Sequence, residues 1–205
     1  MSYELYIFGS AVRGEVCRTS DVDILALPFS ESSRSKLPSN WSIYSPSVIK
    51  EYFITGRLFA WHIYLESICI FSYRGTNYIE MLGAPAPYDS ASNDIDELSE
   101  LLREAIRELK NGTNSVVYEL GIAYTAMRDI AMCASWRLLD SPCFSKFAPY
   151  KLPTKCPISR SSYEVAMSAR HSSTRGEDVT GDLDQAVQDF VNSDFSDWIE
   201  SIRLD

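Results

Sequence analysis

Short apolar runs separated by polar breaks dominate the first third of the chain. Residues 5–8 are continuously apolar, which predicts a buried strand, and residues 21–27 predict a second strand. Residues 41–45 alternate between apolar and polar side chains, and residues 67–72 are mostly apolar. These two segments predict a third and a fourth strand.

Helical spacing appears after the third predicted strand. Residues 47–58 carry apolar side chains at helical intervals, and residues 58–65 form a strongly apolar run, so both predict helices. Residues 77–82 predict a last short strand or turn. The following stretch, residues 83–92, is rich in Ala, Pro and Ser, which indicates a linker.

The remainder of the chain has the periodicity of amphipathic helices. One helix follows the linker, and further helices are predicted over 115–139, 161–170 and 180–202. The sequence therefore predicts an α/β (α+β) fold in two domains. Residues 1–88 form a small mixed β-sheet domain, and residues 89–205 form a C-terminal helical bundle.

A glycine turn follows the first predicted strand, and a pair of acids lies on the second. Gly9 permits a tight turn and a close approach of the backbone to a ligand, and Ser10 adds a hydroxyl to the backbone amides that suit a phosphate. Asp21 and Asp23 are two residues apart on a strand, so their carboxylates share one face. Such a pair suits Mg²⁺, which binds hard oxygen ligands together with substrate phosphates. This combination of groups is suited to phosphoryl or nucleotidyl transfer.

The turn and the acids together resemble a known signature. Gly9-Ser10, followed after ten residues by Asp21-x-Asp23, resembles the motif of the DNA polymerase beta-like nucleotidyltransferase superfamily. The surrounding sequence also matches the minimal nucleotidyltransferase branch at Arg13, Gly14 and Ser20.

The resemblance implies an enzyme that moves a nucleoside monophosphate from an NTP, such as ATP, or a dNTP to an acceptor hydroxyl. Asp21 and Asp23 would then be the catalytic residues that hold Mg²⁺, with Mn²⁺ as a second option. Gly9 and Ser10 would bind the nucleotide phosphates. Arg13 would bind phosphate as well, or only fix the loop by hydrogen bonding.

The third predicted strand departs from the family pattern. Members of the superfamily usually carry a third carboxylate there, whereas this chain offers Ser42, Tyr44 and Ser45. Glu66 and Glu51 are the nearest substitutes in sequence, although a structural role is the favoured interpretation for Glu66. The departure leaves an alternative open, in which the chain is a catalytically degenerate nucleotide-binding module that inhibits a partner.

Composition narrows the range of partners. The 205-residue chain has a formal net charge of −9, which argues against a broad basic surface for duplex nucleic acid but is compatible with a local basic groove. No apolar run nears the ~20 residues of a membrane helix. The five cysteines form no C-x-x-C pair, so the expectation is a reduced cytoplasmic protein without structural zinc or a membrane partner.

The acceptor is left open by the sequence. The resemblance allows an antibiotic hydroxyl, a protein Tyr or Ser, an RNA end or another nucleotide, and the acidic charge favours a protein or a small acceptor. Small members of the family often act as antitoxins or in phage-defence pairs, which implies a toxin or effector partner. An oligomer is also possible.

Basic residues in the second half add two further hypotheses. Arg128 either forms an internal salt bridge with Asp129, the favoured interpretation, or neutralises phosphate. An irregular loop over residues 144–157 holds the densest lysine cluster of the chain, which consists of Lys146, Lys151 and Lys155.

Overall fold

Two compact units make up the structure. A computed structural model describes residues 2–16 and 22–203, and the chain divides into residues 1–90 and 91–205. The first unit contains a small mixed sheet with helices, and the second is helical, which confirms the predicted fold class. Within the described residues, no helix has both the length and the apolar character of a membrane span.

A four-stranded sheet in the order β3-β2-β1-β4 organises the described part of the first unit. β1 pairs antiparallel with both β2 and β4, while the short β3 pairs parallel with β2. The strands are β1 (Tyr3–Phe8), β2 (Asp23–Pro28), β3 (Ser42–Ile43) and β4 (Ile68–Ser72). The helices are α1 (Ser10–Arg13), α2 (Glu31–Arg34), α3 (Pro46–Ile54), α4 (Leu58–Glu66) and α5 (Tyr78–Leu82).

One face of the sheet packs against helices and forms the core of the unit. Alternate residues of β1, namely Glu4, Tyr6 and Phe8, are buried, as expected for a strand with one covered face. Apolar residues of β2, α3, α4 and α5 complete the core, which contains Tyr6, Phe8, Leu25, Leu27, Ile49, Phe53, Ala60, Ile63 and Ile79.

Side-chain caps explain where the helices of this unit differ from the predictions. α3 begins at Pro46, not at residue 47, because the Ser45 hydroxyl accepts a hydrogen bond from the Val48 amide. The prediction of a strand or turn over 77–82 was wrong. The Asn77 side chain accepts from the Glu80 amide at 3.2 Å and starts the helix α5 there.

The second unit is built on two long helices, α6 (Ala91–Lys110) and α7 (Val116–Leu138). α7 is buried along most of its length, and it approaches α8 closely at Gly121, where a Cβ would lie 2.9 Å from the Arg170 Cα. The chain ends in α8 (Arg160–Arg175), α9 (Leu183–Asn192) and α10 (Phe195–Ile202), and a 3-10 turn at Ala148–Tyr150 lies between α7 and α8.

Two of these C-terminal helices differ from their predictions. α8 begins two residues early, because Ser159 and not Ser161 caps it, and it continues to Arg175. The single helix predicted over 180–202 is interrupted, since Asp194 caps a new helix by accepting from the Asp197 amide.

A buried carboxylate joins β1 to β4 and α5. Glu4 is only 1% exposed, and its carboxylate accepts hydrogen bonds from the Tyr6 hydroxyl, the Ser72 hydroxyl at 3.2 Å and the Tyr78 amide at 2.9 Å. Burial, followed by the hydrogen bond to Glu4, raises the pKa of Tyr6 far above its ordinary value, so the hydroxyl stays a donor. The carboxylate therefore satisfies donors from three parts of the unit.

Replacing Glu4 with alanine is expected to lower the free energy of unfolding by about 3 kcal/mol, because three partly or fully buried donors lose their acceptor. Urea unfolding followed by circular dichroism measures the loss. Glu51→Ala is the matched control, since the Glu51 side chain is exposed on α3, and it should change the free energy by less than about 0.5 kcal/mol. Equal losses in the two variants would contradict the role given to Glu4.

Candidate active site

A glycine turn leaves the buried strand β1 and leads directly into α1. Gly9 has φ 71° and ψ −141°, a backbone conformation that L side chains rarely adopt. Its carbonyl accepts hydrogen bonds from the Val12 and Arg13 amides at 3.1 and 3.2 Å, which closes a single helical turn starting at Ser10. Gly14, in the left-handed region, ends that turn. Gly9 and Ser10 are therefore held in a defined conformation at the end of β1.

Asp23 lies directly beside this turn. In the antiparallel ladder it pairs with Phe8, the last residue of β1, so its side chain is on the same face and next to Gly9. A Cβ built on Gly9 would be only 2.7 Å from the Asp23 Oδ2. The residue is exposed, in contrast to the buried residues that follow it in β2. The structure thus brings together the turn and one of the two predicted acids, whereas Asp21 lies outside the described residues.

Arg13 is held by two carboxylates. Its Nε donates to Glu15 at 3.0 Å, and its Nη1 donates to Glu66 at the end of α4. The side chains of all three residues are less than a quarter exposed. Arg13 therefore links α1 to α4, in the geometry expected if it fixes the loop.

Glu66 also pairs with a histidine of its own helix. The Nε2 of His62 lies 3.2 Å from the Glu66 Oε2, one helical turn away, and the imidazole and Phe8 rings form a T-shaped pair at a centroid distance of 5.5 Å. Burial on its own would raise the pKa of Glu66, but hydrogen bonds from His62 and Arg13 outweigh it, and the pKa lies below its ordinary value. The carboxylate is thus ionised at neutral pH and already bound by two partners.

The third strand supplies no acid to this end of the sheet. β3 comprises Ser42 and Ile43, and Ser42 pairs with Leu25 of β2. Of the two substitutes considered from the sequence, Glu66 is engaged by Arg13 and His62, and Glu51 is exposed on α3.

The oxygen atoms at the turn are chemically suited to bind a divalent cation. Asp23 offers an exposed carboxylate beside the turn that carries the Ser10 hydroxyl, and carboxylate and hydroxyl oxygens are the hard ligands that Mg²⁺ prefers. In residues 2–16 and 22–203, no group of three or more His, Cys, Asp or Glu side chains is arranged to hold a metal.

The structure also places residues that the sequence singled out elsewhere or passed over. Arg128 pairs with Asp129 at 2.8 Å and lies over the Tyr124 ring at 5.7 Å, as in the favoured interpretation. The link from Arg13 to Glu66 spans 53 residues and gave no local signal. The pairing of His62 with Glu66 did have a local signal in the sequence, because residues four apart lie on the same helix face.

Comparison with known families finds a match for the N-terminal region. Residues 2–67, about a third of the chain, match the family model described as a nucleotidyltransferase domain. The match spans β1 to the end of α4 and includes the turn, Asp23 and Glu66. It confirms the predicted resemblance to the polymerase beta-like superfamily, while the minimal branch stays a prediction. No curated protein matches the chain.

Alanine at Gly9 is expected to destabilise the protein by more than alanine at Gly14. Gly14 is in the left-handed α region, which costs an L residue about 1–2 kcal/mol, whereas Gly9, with ψ −141°, is in a region open essentially to glycine only, at a cost of about 1–3 kcal/mol. In addition, only the Cβ at Gly9 meets a neighbour, the Asp23 carboxylate. Urea unfolding of Gly9→Ala in the wild-type and Asp23→Ala backgrounds isolates this contact. The loss should be smaller in the Asp23→Ala background, and an unchanged loss would contradict the close approach.

Arg13→Gln is expected to lower the free energy of unfolding at pH 7 by about 2 kcal/mol, since Glu66 loses a charge-assisted hydrogen bond. The folded-state pKa of Glu66 is lowered, so the stabilisation is present above the unfolded value, about 4.3, and is lost as the pH falls through the folded value. Urea unfolding at pH 7 and near pH 3 should show the difference from wild type shrinking in acid. Arg57→Gln, an exposed position, is the control. A difference that is independent of pH would rule out the ion pair as its source.

Proposed function

With a nucleotidyltransferase domain over residues 2–67 as the premise, we propose that the protein is an active nucleotidyltransferase that requires Mg²⁺, with Mn²⁺ as a substitute. It moves a nucleoside monophosphate from an NTP or dNTP to an acceptor hydroxyl. The close approach of Asp23 to Gly9 supports this proposal, because the turn that begins at Gly9 carries backbone amides and the Ser10 hydroxyl, which suit phosphate.

Each residue near the turn has one role in the proposal. The Ser10 hydroxyl and the amides after Gly9 bind the terminal phosphates. Asp21 and Asp23 hold the cation, which when bound neutralises charge on the phosphates. Arg13 serves to fix the turn through Glu66 and Glu15, since its guanidinium already bonds both carboxylates.

The proposed reaction is a substitution at phosphorus. The acceptor oxygen forms a bond to the α-phosphorus while the bond from that phosphorus to the oxygen bridging to the β-phosphate breaks. Pyrophosphate leaves, and the hydroxyl proton passes to solvent. Positioning and charge neutralisation, the contributions that a turn and carboxylates can make, are the main requirements of such a step.

For the acceptor, we propose only its chemical class. An acidic chain with a net charge of −9 suits a protein side chain or a small molecule better than long duplex nucleic acid. We place the protein in the cytoplasm, as one partner of a toxin–antitoxin or phage-defence pair. Residues 1–88 would act as the transfer domain, and residues 89–205 as a helical domain.

One observation favours a second candidate function. β3 carries no carboxylate, and Glu66 is bound by Arg13 and His62, so the described residues lack a third acid for a two-metal site. On this alternative, the protein binds nucleotides without transferring them and acts by inhibiting a partner.

Incubation with α-³²P-labelled NTPs and Mg²⁺ or Mn²⁺, with and without the protein encoded beside it, tests both functions. Transfer of label to a protein, an oligonucleotide or a small molecule is the expected result, and Asp23→Asn or Asp21→Asn should reduce it by at least ~10³-fold, since metal-bound charge stabilisation is lost. Asp140→Asn, at an exposed position outside the nucleotidyltransferase domain, should leave it unchanged. Nucleotide binding without any transfer would favour the alternative.

A further inference from the structure

One face of α4 packs against the residue that precedes the Gly9 turn. The face consists of side chains three and four residues apart, which lie on one side of a helix, namely Phe59, His62 and Glu66. Phe8 is 8% exposed, and its ring forms T-shaped pairs with the rings of Phe59 and His62, at centroid distances of 6.0 and 5.5 Å. These contacts fix the point at which β1 enters the turn.

The same face of α4 also holds the last residue of α1. Arg13 donates to the Glu66 Oε2, and the Nε2 of His62 lies 3.2 Å from that same oxygen. One carboxylate oxygen is thus shared by a side chain of α1 and a side chain of α4. All three side chains are less than a fifth exposed, so solvent ions screen these contacts little. α4 therefore holds the chain on both sides of the Gly9 turn.

His62 takes part in both sets of contacts. Its ring meets Phe8 before the turn, and its Nε2 meets the carboxylate that binds Arg13 after the turn. A glutamate side chain has several rotatable bonds, so a second contact on its carboxylate restricts the places to which it can hold Arg13. The ring pair with Phe8 in turn restricts the imidazole. His62 therefore connects the two ends of the turn through one side chain.

We propose that His62 is a positioning residue of the candidate active site, which acts through Glu66 on the turn that binds nucleotide phosphates. By restricting the Glu66 carboxylate, it keeps Arg13 in place, and with it the Ser10 hydroxyl and the amides after Gly9, in one arrangement for the terminal phosphates. In this role His62 makes no contact with the nucleotide itself. The inference rests on the proposed binding of a nucleotide at this turn, but it does not require that the nucleotide is transferred.

Isothermal titration calorimetry of the full chain with Mg²⁺ and the α,β-methylene analogues of ATP, GTP, CTP and UTP tests the proposal, because the methylene bridge blocks transfer but not binding. The variants are then compared with the analogue that the wild type binds most tightly. His62→Phe keeps a ring beside Phe8 but removes the nitrogen that meets Glu66, and it should weaken binding at least ~tenfold. His62→Gln, whose amide nitrogen can replace Nε2, should bind within about threefold of wild type.

Ile49→Val is the matched control for general destabilisation, because it removes one methyl group from the core of the same unit, and it should leave binding unchanged. All variants are compared at a temperature at which circular dichroism shows them folded, and His62→Leu replaces His62→Phe if the latter does not fold. In a Glu66→Ala background, His62→Phe should have no further effect on binding. Equal weakening by Ile49→Val and His62→Phe would overturn the proposal, as would equal weakening by His62→Gln and His62→Phe.

Transfer is measured separately with labelled NTPs, which separates this inference from the proposed function. Nucleotide binding that depends on His62, in a wild type that transfers nothing, would support the positioning role and contradict the proposed transfer. Transfer by the wild type together with unchanged nucleotide affinity in His62→Phe would overturn only the positioning role. An absence of saturable nucleotide binding by the wild type would overturn both.

Discussion

The approach of Asp23 to Gly9 is the constraint on which the candidate site depends. It follows from the register of β1 and β2, which places the first residue of β2 opposite Phe8 at the point where β1 turns. The turn has a positive φ at residue 9 and no room for a Cβ on the side of Asp23, and glycine satisfies both conditions. A shift of one residue in register would move Asp23 to the other face of the sheet. The buried core of β1 and β2 therefore also determines the position of the acid.

The charges around the turn divide into two groups with different roles. Arg13, Glu15, Glu66 and His62 bond to one another and hold α1 against α4, and their side chains are mostly buried. Asp23 is exposed at the end of its strand. A buried ion pair contributes little net stability but is costly to break. It therefore suits a segment whose geometry must stay fixed, such as the Gly9 turn. This division supports the view that Glu66 positions the turn and does not replace the acid that β3 lacks.

The sequence predicted the architecture well where long apolar segments were present, as in β1 and α7, and less well where a single capping side chain decided the outcome. Ser45 and Asp194 each start a helix at a place that periodicity alone does not mark. The nearness of Gly9 and Asp23 agrees with the two-residue period of strands and the motif spacing. The bond from Arg13 to Glu66 joins segments far apart in sequence, so only the tertiary structure reveals it.

Net charge is only a coarse guide to what a protein binds. A value of −9 argues against a broad basic surface, and this argument applies to the surface as a whole. Contacts with phosphates depend instead on charge within about a Debye length, roughly 10 Å at moderate salt. A negative net charge is therefore compatible with a nucleotide site that needs only a few local donors, such as the one proposed at the Gly9 turn.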